Sequence, residues 1–237
     1  MIKKMSLALM SILTLLAFPA VSSAQDAAPS LQTRDNYLIV THADLRKCIY
    51  PLCGGYFVKA VNQRLTRCAD GSQQRECHAV ELNTKNLGWT EEQRAAFDAA
   101  FAAGHALVRG IIEPAPRGFY TADVLTITEA WQGQGPNKPL GIFYGVKSTG
   151  IVCITTPCPS LAATKLNSTA PAINPDLDLS PSHAGDQQIQ AAFEALGSSG
   201  ILTVGVVVPV KYPALEGLPD RKGSKLLASN FYLPAKP

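Results

Sequence analysis

The sequence predicts an α+β fold of two tandem units, each a mainly antiparallel sheet carrying one helix, packed together and stapled by disulfide-closed hairpins. Three observations carry that expectation. Cys48 to Asn62 (CIYPLCGGYFVKAVN) and Cys153 to Asn167 (CITTPCPSLAATKLN) share a Cys-x4-Cys spacing and an Asn nine residues beyond the second cysteine. A segment rich in alanine, with phenylalanine or isoleucine at helical spacing, follows each of them. Two strand-like segments follow each helix-like one. The same device made twice, in the same order of elements, reads as two copies of one structural unit.

The chain opens with Lys3 and Lys4, an apolar run from Met5 to Phe18, and small residues from Ala20 to Ala24. This is the pattern of an export signal, cleaved after Ala24 with Ser22 and Ala24 in the small pockets of the peptidase. No cysteine follows the run to take a lipid, so the product is not expected to be a lipoprotein but a soluble protein of the periplasm or the medium. Cleavage removes two of the 21 basic residues and none of the 18 acidic ones, which leaves the mature chain nearly neutral. A neutral chain presents no basic face to phosphate, so nucleic acid is excluded as a partner. No second apolar run approaches the roughly 20 residues of a membrane helix. Ile201 to Val210 is of strand length and is interrupted by Thr203 and Gly205.

Residues 25–36 read as a flexible tail, 37–132 as the first unit, 133–139 (GQGPNKP) as a linker and 140–234 as the second unit. Each unit opens on a strand: Tyr37 to Val40 falls on Ile142 to Gly145 at an offset of 105. Further along, Ala96-Phe97 falls on Ala192-Phe193 at an offset of 96, and Gly104 on Gly200. The nine-residue change is what an extra hairpin between Cys68 and Cys77 would produce. The first helix starts at Thr90, because Thr90 and Gln93 form a capping box, and Gly104 ends it in a left-handed conformation. Phe97 and Phe101 define its buried face, and Ile189, Phe193 and Leu196 the corresponding stripe of the second helix. Strands follow at His105 to Ile112 and Asp123 to Trp131, and at Ile201 to Val210 and Lys225 to Leu233. Ile201 to Val210 is apolar on both faces, as a centrally placed strand would be. Tyr212 to Gly223 reads as an exposed loop.

Six cysteines in an exported chain imply oxidation. The second unit holds only Cys153 and Cys158, so a self-contained unit pairs them with each other; Cys48 and Cys53 then pair likewise, leaving Cys68 with Cys77. Four intervening residues fit a tight hairpin loop with the cysteines facing each other just before the turn. Asp70-Gly71 marks a turn between Cys68 and Cys77.

The Cys-x4-Cys-Gly-Gly-Tyr-Phe-Val-Lys-Ala-Val-Asn segment, then Cys-Ala-Asp-Gly and later Cys-Ile-Thr-Thr-Pro-Cys-Pro, resembles an uncharacterised family of exported bacterial proteins with a domain of unknown function. The resemblance covers most of the mature chain and implies fold and export but no catalytic residue.

No chemical motif stands out. His42, His78, His105 and His183 never adopt the helical spacing of a zinc hydrolase, and no metal or cofactor is expected. Asp176, Asp178 and Asp186 lack the dense Asp/Asn/Gly loop of a calcium site. Nucleophile elbows and phosphate loops are absent, and Glu91 and Glu92 are explained by the helix dipole. The best claim to recognition belongs to the two stapled tips, Ile49, Tyr50, Pro51 and Leu52, and Ile154, Thr155, Thr156 and Pro157. A closed loop is already ordered, so binding through it costs little entropy. The sequence thus favours a non-enzymatic binding or structural protein with a protein or envelope-glycan partner. A protease inhibitor using one stapled tip is the narrower alternative, and a hydrolase assembled from remote strands the third.

Overall fold

The structure, a computed structural model, describes residues 35–213 and 220–235. The expected signal segment 1–24, residues 25–34 of the expected tail and 214–219 of the expected loop lie outside the described residues.

The first half begins with β1 (Asn36–Ala43) and β2 (Tyr56–Ala60), an antiparallel pair. Two residues each in β3 (Thr66–Arg67) and β4 (Gln73–Gln74) make a separate ribbon around the Asp70-Gly71 turn, where the Asp70 carboxylate accepts the Ser72 amide at 2.8 Å. β5 (Cys77–Ala79) and β6 (Glu81–Asn83) lead through a 3-10 turn at Lys85–Leu87 into α1 (Glu91–Ala102). The capping box forms as the spacing predicts: the Gln93 amide donates to Thr90 Oγ1 and the Thr90 amide to Gln93 Oε1. Gly104 takes a φ of 77° just past the helix, a conformation open to glycine because it lacks Cβ. Phe97 and Phe101 are buried against Leu38, Val58 and Leu125, as their spacing of four requires. Two long strands, β7 (Ala106–Arg117) and β8 (Tyr120–Gly133), complete this half.

The second half follows a similar order without the small ribbon and with one short strand fewer: β9 (Ile142–Ser148), β10 (Leu161–Lys165), β11 (Asp176–Asp178), a 3-10 turn at Ser180–Ser182, α2 (Asp186–Leu196), β12 (Ile201–Tyr212) and β13 (Arg221–Pro234). The main sheet runs β10-β9-β12-β13-β8-β7-β1-β2-β5 with every neighbouring pair antiparallel. Among the described residues, only β6 on β8 and β11 on β13 add parallel pairs. The fold is therefore α+β and mainly antiparallel. Its last strands are longer than the sequence reading, and residues 221–223 belong to β13 rather than to a loop.

Two contacts join the halves on opposite sides. One is the short ladder of β13 on β8, where Tyr232 faces Gly133 and Pro234 faces Trp131. The other is made by the side chains of Asn62 and Asn167, with Gln63 donating beside them to the Asn167 carbonyl. Asn62, just past β2, accepts the Phe143 amide at 2.9 Å and donates to the carbonyls of Phe143 at 2.7 Å and Leu166 at 3.0 Å. Asn167, just past β10, accepts the Tyr37 amide at 2.8 Å and donates to the carbonyls of Tyr37 at 2.8 Å and Val61 at 2.9 Å. Each carboxamide thus takes an N–H and returns one to the C=O of the same residue, as a neighbouring strand would. Both asparagines have positive φ, 59° and 52°, a region this side chain tolerates. Because β1 and β9 lie on opposite sides of the four strands β12-β13-β8-β7, the sheet must curl for these contacts to close. Val61, Leu107, Trp131, Phe143, Leu166, Leu202, Val204 and Tyr232 form the apolar cluster inside the curl.

Two sequence expectations are corrected here. The cysteines of the stapled segments do not face each other across strand ends: β1 stops at Ala43 and β2 starts at Tyr56, so Cys48 and Cys53 lie inside a longer connection, as do Cys153 and Cys158 between Ser148 and Leu161. The strands end early because Gly54 and Gly55, at φ 89° and 75°, turn the chain away from extended geometry. Phe193 is not buried but 51 % exposed. The buried face of α2 is Ala192 and Leu196, with Ile189 packed at its edge, and the residue beside Ala192 lies about 100° around the helix. Segment 133–139, read as a linker, is held by β13: Asn230 accepts the Gly135 amide at 3.0 Å and donates to the Asn137 carbonyl at 2.7 Å.

Replacing either clasp asparagine by aspartate keeps the size and the positive φ but turns two donors into acceptors facing carbonyls. N62D and N167D should each lower unfolding stability by roughly 3 kcal/mol, the scale of leaving buried backbone groups unpaired. Urea denaturation checks this, and a loss confined to a few tenths would mean the clasp is ornamental.

Candidate binding sites in the stapled loops and between the halves

The three disulfides pair as the repeat predicts: Cys48 with Cys53, Cys68 with Cys77, and Cys153 with Cys158. Beneath the first tip sits a buried carboxylate. Asp44, with a side chain only 1 % exposed, accepts Arg46 Nε at 2.8 Å, Arg46 Nη2 at 2.8 Å and the amides of Arg46 at 3.1 Å and Gly54 at 3.2 Å. His78 Nε2 lies 3.1 Å from Asp44 and 2.7 Å from the Gly54 carbonyl; both are acceptors, so this nitrogen carries a proton. The Arg46 hydrogen bonds hold the Asp44 carboxyl well below the ordinary carboxylate range, against the opposing effect of burial. Phe57 stacks with His42 at 4.5 Å and tilts against His78 at 5.0 Å, so the two histidines nearest each other flank a ring. A Cβ on Gly55 would overlap the backbone of Ala79 and Val80, which explains the Gly-Gly pair of the motif.

On this base the tip residues stand in water: Ile49 is 69 % exposed, Tyr50 54 % and Leu52 52 %, while Pro51 is buried. The Tyr50 hydroxyl donates to Glu81 at 3.2 Å, and Arg117 holds the same carboxylate at 3.0 Å. The second tip is built differently. Its base is closed by Thr149, whose hydroxyl donates to the Pro159 carbonyl at 2.6 Å. Ile154 is fully exposed, and Thr155, Thr156 and Pro157 are exposed beside it. The tips are two separate surfaces on unlike bases.

A further site lies where the halves meet. Tyr37, Arg109 and Glu129 stand opposite one another across β1, β7 and β8, and Ile39, Leu107 and Trp131 form the next row on the same inward face. Glu129 accepts Arg109 Nη1 at 2.8 Å, the Tyr37 hydroxyl at 3.3 Å and Trp131 Nε1 at 3.2 Å. Arg109 Nε reaches Asp35 at 2.9 Å. Burial first, and then the Glu129 charge, push the Tyr37 hydroxyl up to about 12. These groups line one side of a cavity of about 480 Å³ whose other side includes Gly145, Lys147, Ile201 and Leu202. The carboxylate lining it, Glu129, already accepts these three hydrogen bonds.

Residues 37–237 match the family described as Domain of unknown function (DUF6748). The chain belongs to this family. No curated protein and no solved structure matches it. The DUF6748 match begins within β1 and thus spans both halves, both stapled loops and the cavity.

Among the described residues, no group of three or more His, Cys, Asp and Glu side chains gathers as a metal site, and no helix is long and apolar enough to cross a membrane. Asp176 accepts the Tyr212 hydroxyl, and Asp178 accepts the Ser180 amide and hydroxyl, which accounts for two of the three aspartates weighed for calcium. The sequence reading found the tips but not the cavity row. Its signal was present: Arg109 and Glu129 are charges lying two residues from the core side chains Leu107 and Trp131.

The lowered Asp44 carboxyl sets a sign for pH. Its stabilising contribution is complete above the unfolded carboxylate value near 4 and is lost as pH falls toward the lower folded value. The loop of residues 44–55 should keep its protection from a nonspecific protease from neutral pH down to about pH 4. D44N, which cannot hold Arg46 as a charge, should be cut there faster at neutral pH. Equal cutting rates for the two proteins at neutral pH would contradict this.

Proposed function

We propose that this is an exported, non-enzymatic binding protein, made of two duplicated units, that contacts a protein partner through its stapled tips. The observation that carries the reading is the exposure of Ile49, Tyr50, Leu52 and Ile154 on disulfide-closed loops, the first of them braced by the Asp44 network. Large apolar side chains held in water by a rigid frame are a poor bargain for an isolated protein and a good anchor for a complex. Side chains of this kind suit the apolar surface of a protein better than a glycan. Export is supported by the pairing of all six cysteines and by the Lys3 to Ala24 pattern.

The duplication is supported by features beyond the cysteines. Among the described residues β6 on β8 and β11 on β13 are the only parallel pairs, and the β7–β8 and β12–β13 ladders shift register at Arg109/Gly110 and Val204/Gly205. Strand partners match Tyr37 with Phe143, because they face Arg109 and Val204 respectively. That is one residue off the spacing of Asn62 and Asn167, and the bulge between Val40 and His42 supplies the extra residue. The helices align Phe97 with Ala192 and Phe101 with Leu196.

A photo-crosslinking side chain placed at position 49 or 154 in cells that export the protein tests the reading. A discrete protein adduct is expected from at least one tip and not from exposed Lys85 on the first 3-10 turn. Adducts from neither tip, or the same adducts from all three positions, would overturn it.

A further inference from the structure

We propose that the cavity between the two halves binds a small amphipathic carboxylic acid, with its carboxylate between Arg109 and Lys147 and its apolar body against Ile201, Leu202 and Trp131. The site is independent of the stapled tips. Hydrogen-bond donors stand unfilled around a space of about 480 Å³, a volume typical of small-molecule sites.

Three of the roughly four acceptor sites of Glu129, the carboxylate that faces this space, are taken. Glu129 Oε1 receives Arg109, and Oε2 receives both the Tyr37 hydroxyl and Trp131 Nε1. The donors are not. A guanidinium offers five N–H groups. Asp35 and Glu129 engage two of them, which fixes the plane of Arg109 and leaves the rest of its fork for a ligand. Tyr37 supports the guanidinium from one face, with its ring 5.6 Å away. From the opposite half, Lys147 adds a second cation at the exposed rim. Local charge is balanced by Asp35 and Glu129, so the sign of the ligand follows from which groups remain open, and those are donors. A carboxylate meets them; an amine would find only Glu129 oxygens that already accept three hydrogen bonds.

The apolar side is equally specific. Phe143, Gly145 and Lys147 alternate along one face of β9, with Gly145 opposite Leu202 of β12. Glycine leaves the floor open between a phenylalanine and a lysine. Its φ is ordinary, and a Cβ there would meet only Leu166 at 3.4 Å and Leu202 at 3.7 Å. Valine at this position therefore fills the cavity without breaking the strand.

Calorimetric titration of the intact protein with octanoate, 4-phenylbutyrate, octan-1-ol and octylamine decides the matter. Saturable binding of at least one acid is expected, at least tenfold tighter than the alcohol or the amine. K147M, which removes a rim charge bound to no other side chain by an ion pair among the described residues, should weaken the acid severalfold, and R109M tenfold or more. G145V should abolish binding while its thermal midpoint stays within a few degrees of the parent. Binding of neither acid, equal binding of the alcohol or amine, or acid binding indifferent to both K147M and G145V would each overturn the proposal.

Discussion

Two carboxamides hold the ends of this sheet together. A path of nine strands would leave the β1–β2 and β9–β10 hairpins on opposite flanks, yet Asn62 and Asn167 bond each hairpin base to the other through six hydrogen bonds to backbone groups. The residue type is dictated by the task. A side chain must accept an N–H and donate to a carbonyl at once, from a left-handed backbone, and among the twenty residues asparagine does this with the shortest reach. Asn and the second cysteine keep their spacing in both segments because the clasp sits at one end of a hairpin and the staple in the connection at its other end.

Curling the sheet has a direct chemical consequence. Inward-facing residues of β1, β7 and β8 are brought opposite those of β9 and β12, and the interior is filled where they are apolar and open where Tyr37, Arg109 and Glu129 meet Gly145 and Lys147. In the second half Phe143, Val204 and Asn230 stand opposite one another across β9, β12 and β13. Asn230 there binds the chain segment between the halves through Gly135 and Asn137. One architecture is thus closed by its own chain on one side and carries a charged cavity on the other.

What was legible in the sequence was local. Cysteine pairing followed from counting within each segment, the capping box from Thr90 and Gln93, and the buried pair Phe97 and Phe101 from a spacing of four. What was not legible depends on register between distant strands. A single bulge at Val40/His42 shifts the register of β1 against β2 by one residue, and a one-residue difference decides that Ala192 rather than Phe193 faces the sheet. The cavity was hidden for the same reason: Tyr37, Arg109 and Glu129 are far apart in the chain and meet only when three strands are in register.

The central claim is that the asparagine clasp is part of the cooperative core and not a surface trimming. Amide hydrogen exchange of Tyr37 and Phe143, the two N–H groups that donate into Asn167 and Asn62, tests it most directly. Both should exchange only through global unfolding, as slowly as the amides of Leu107 and Leu202 in the central strands. Exchange at the rate of exposed tip amides such as Ile154 would show that the ends of the sheet open freely, and would contradict the account.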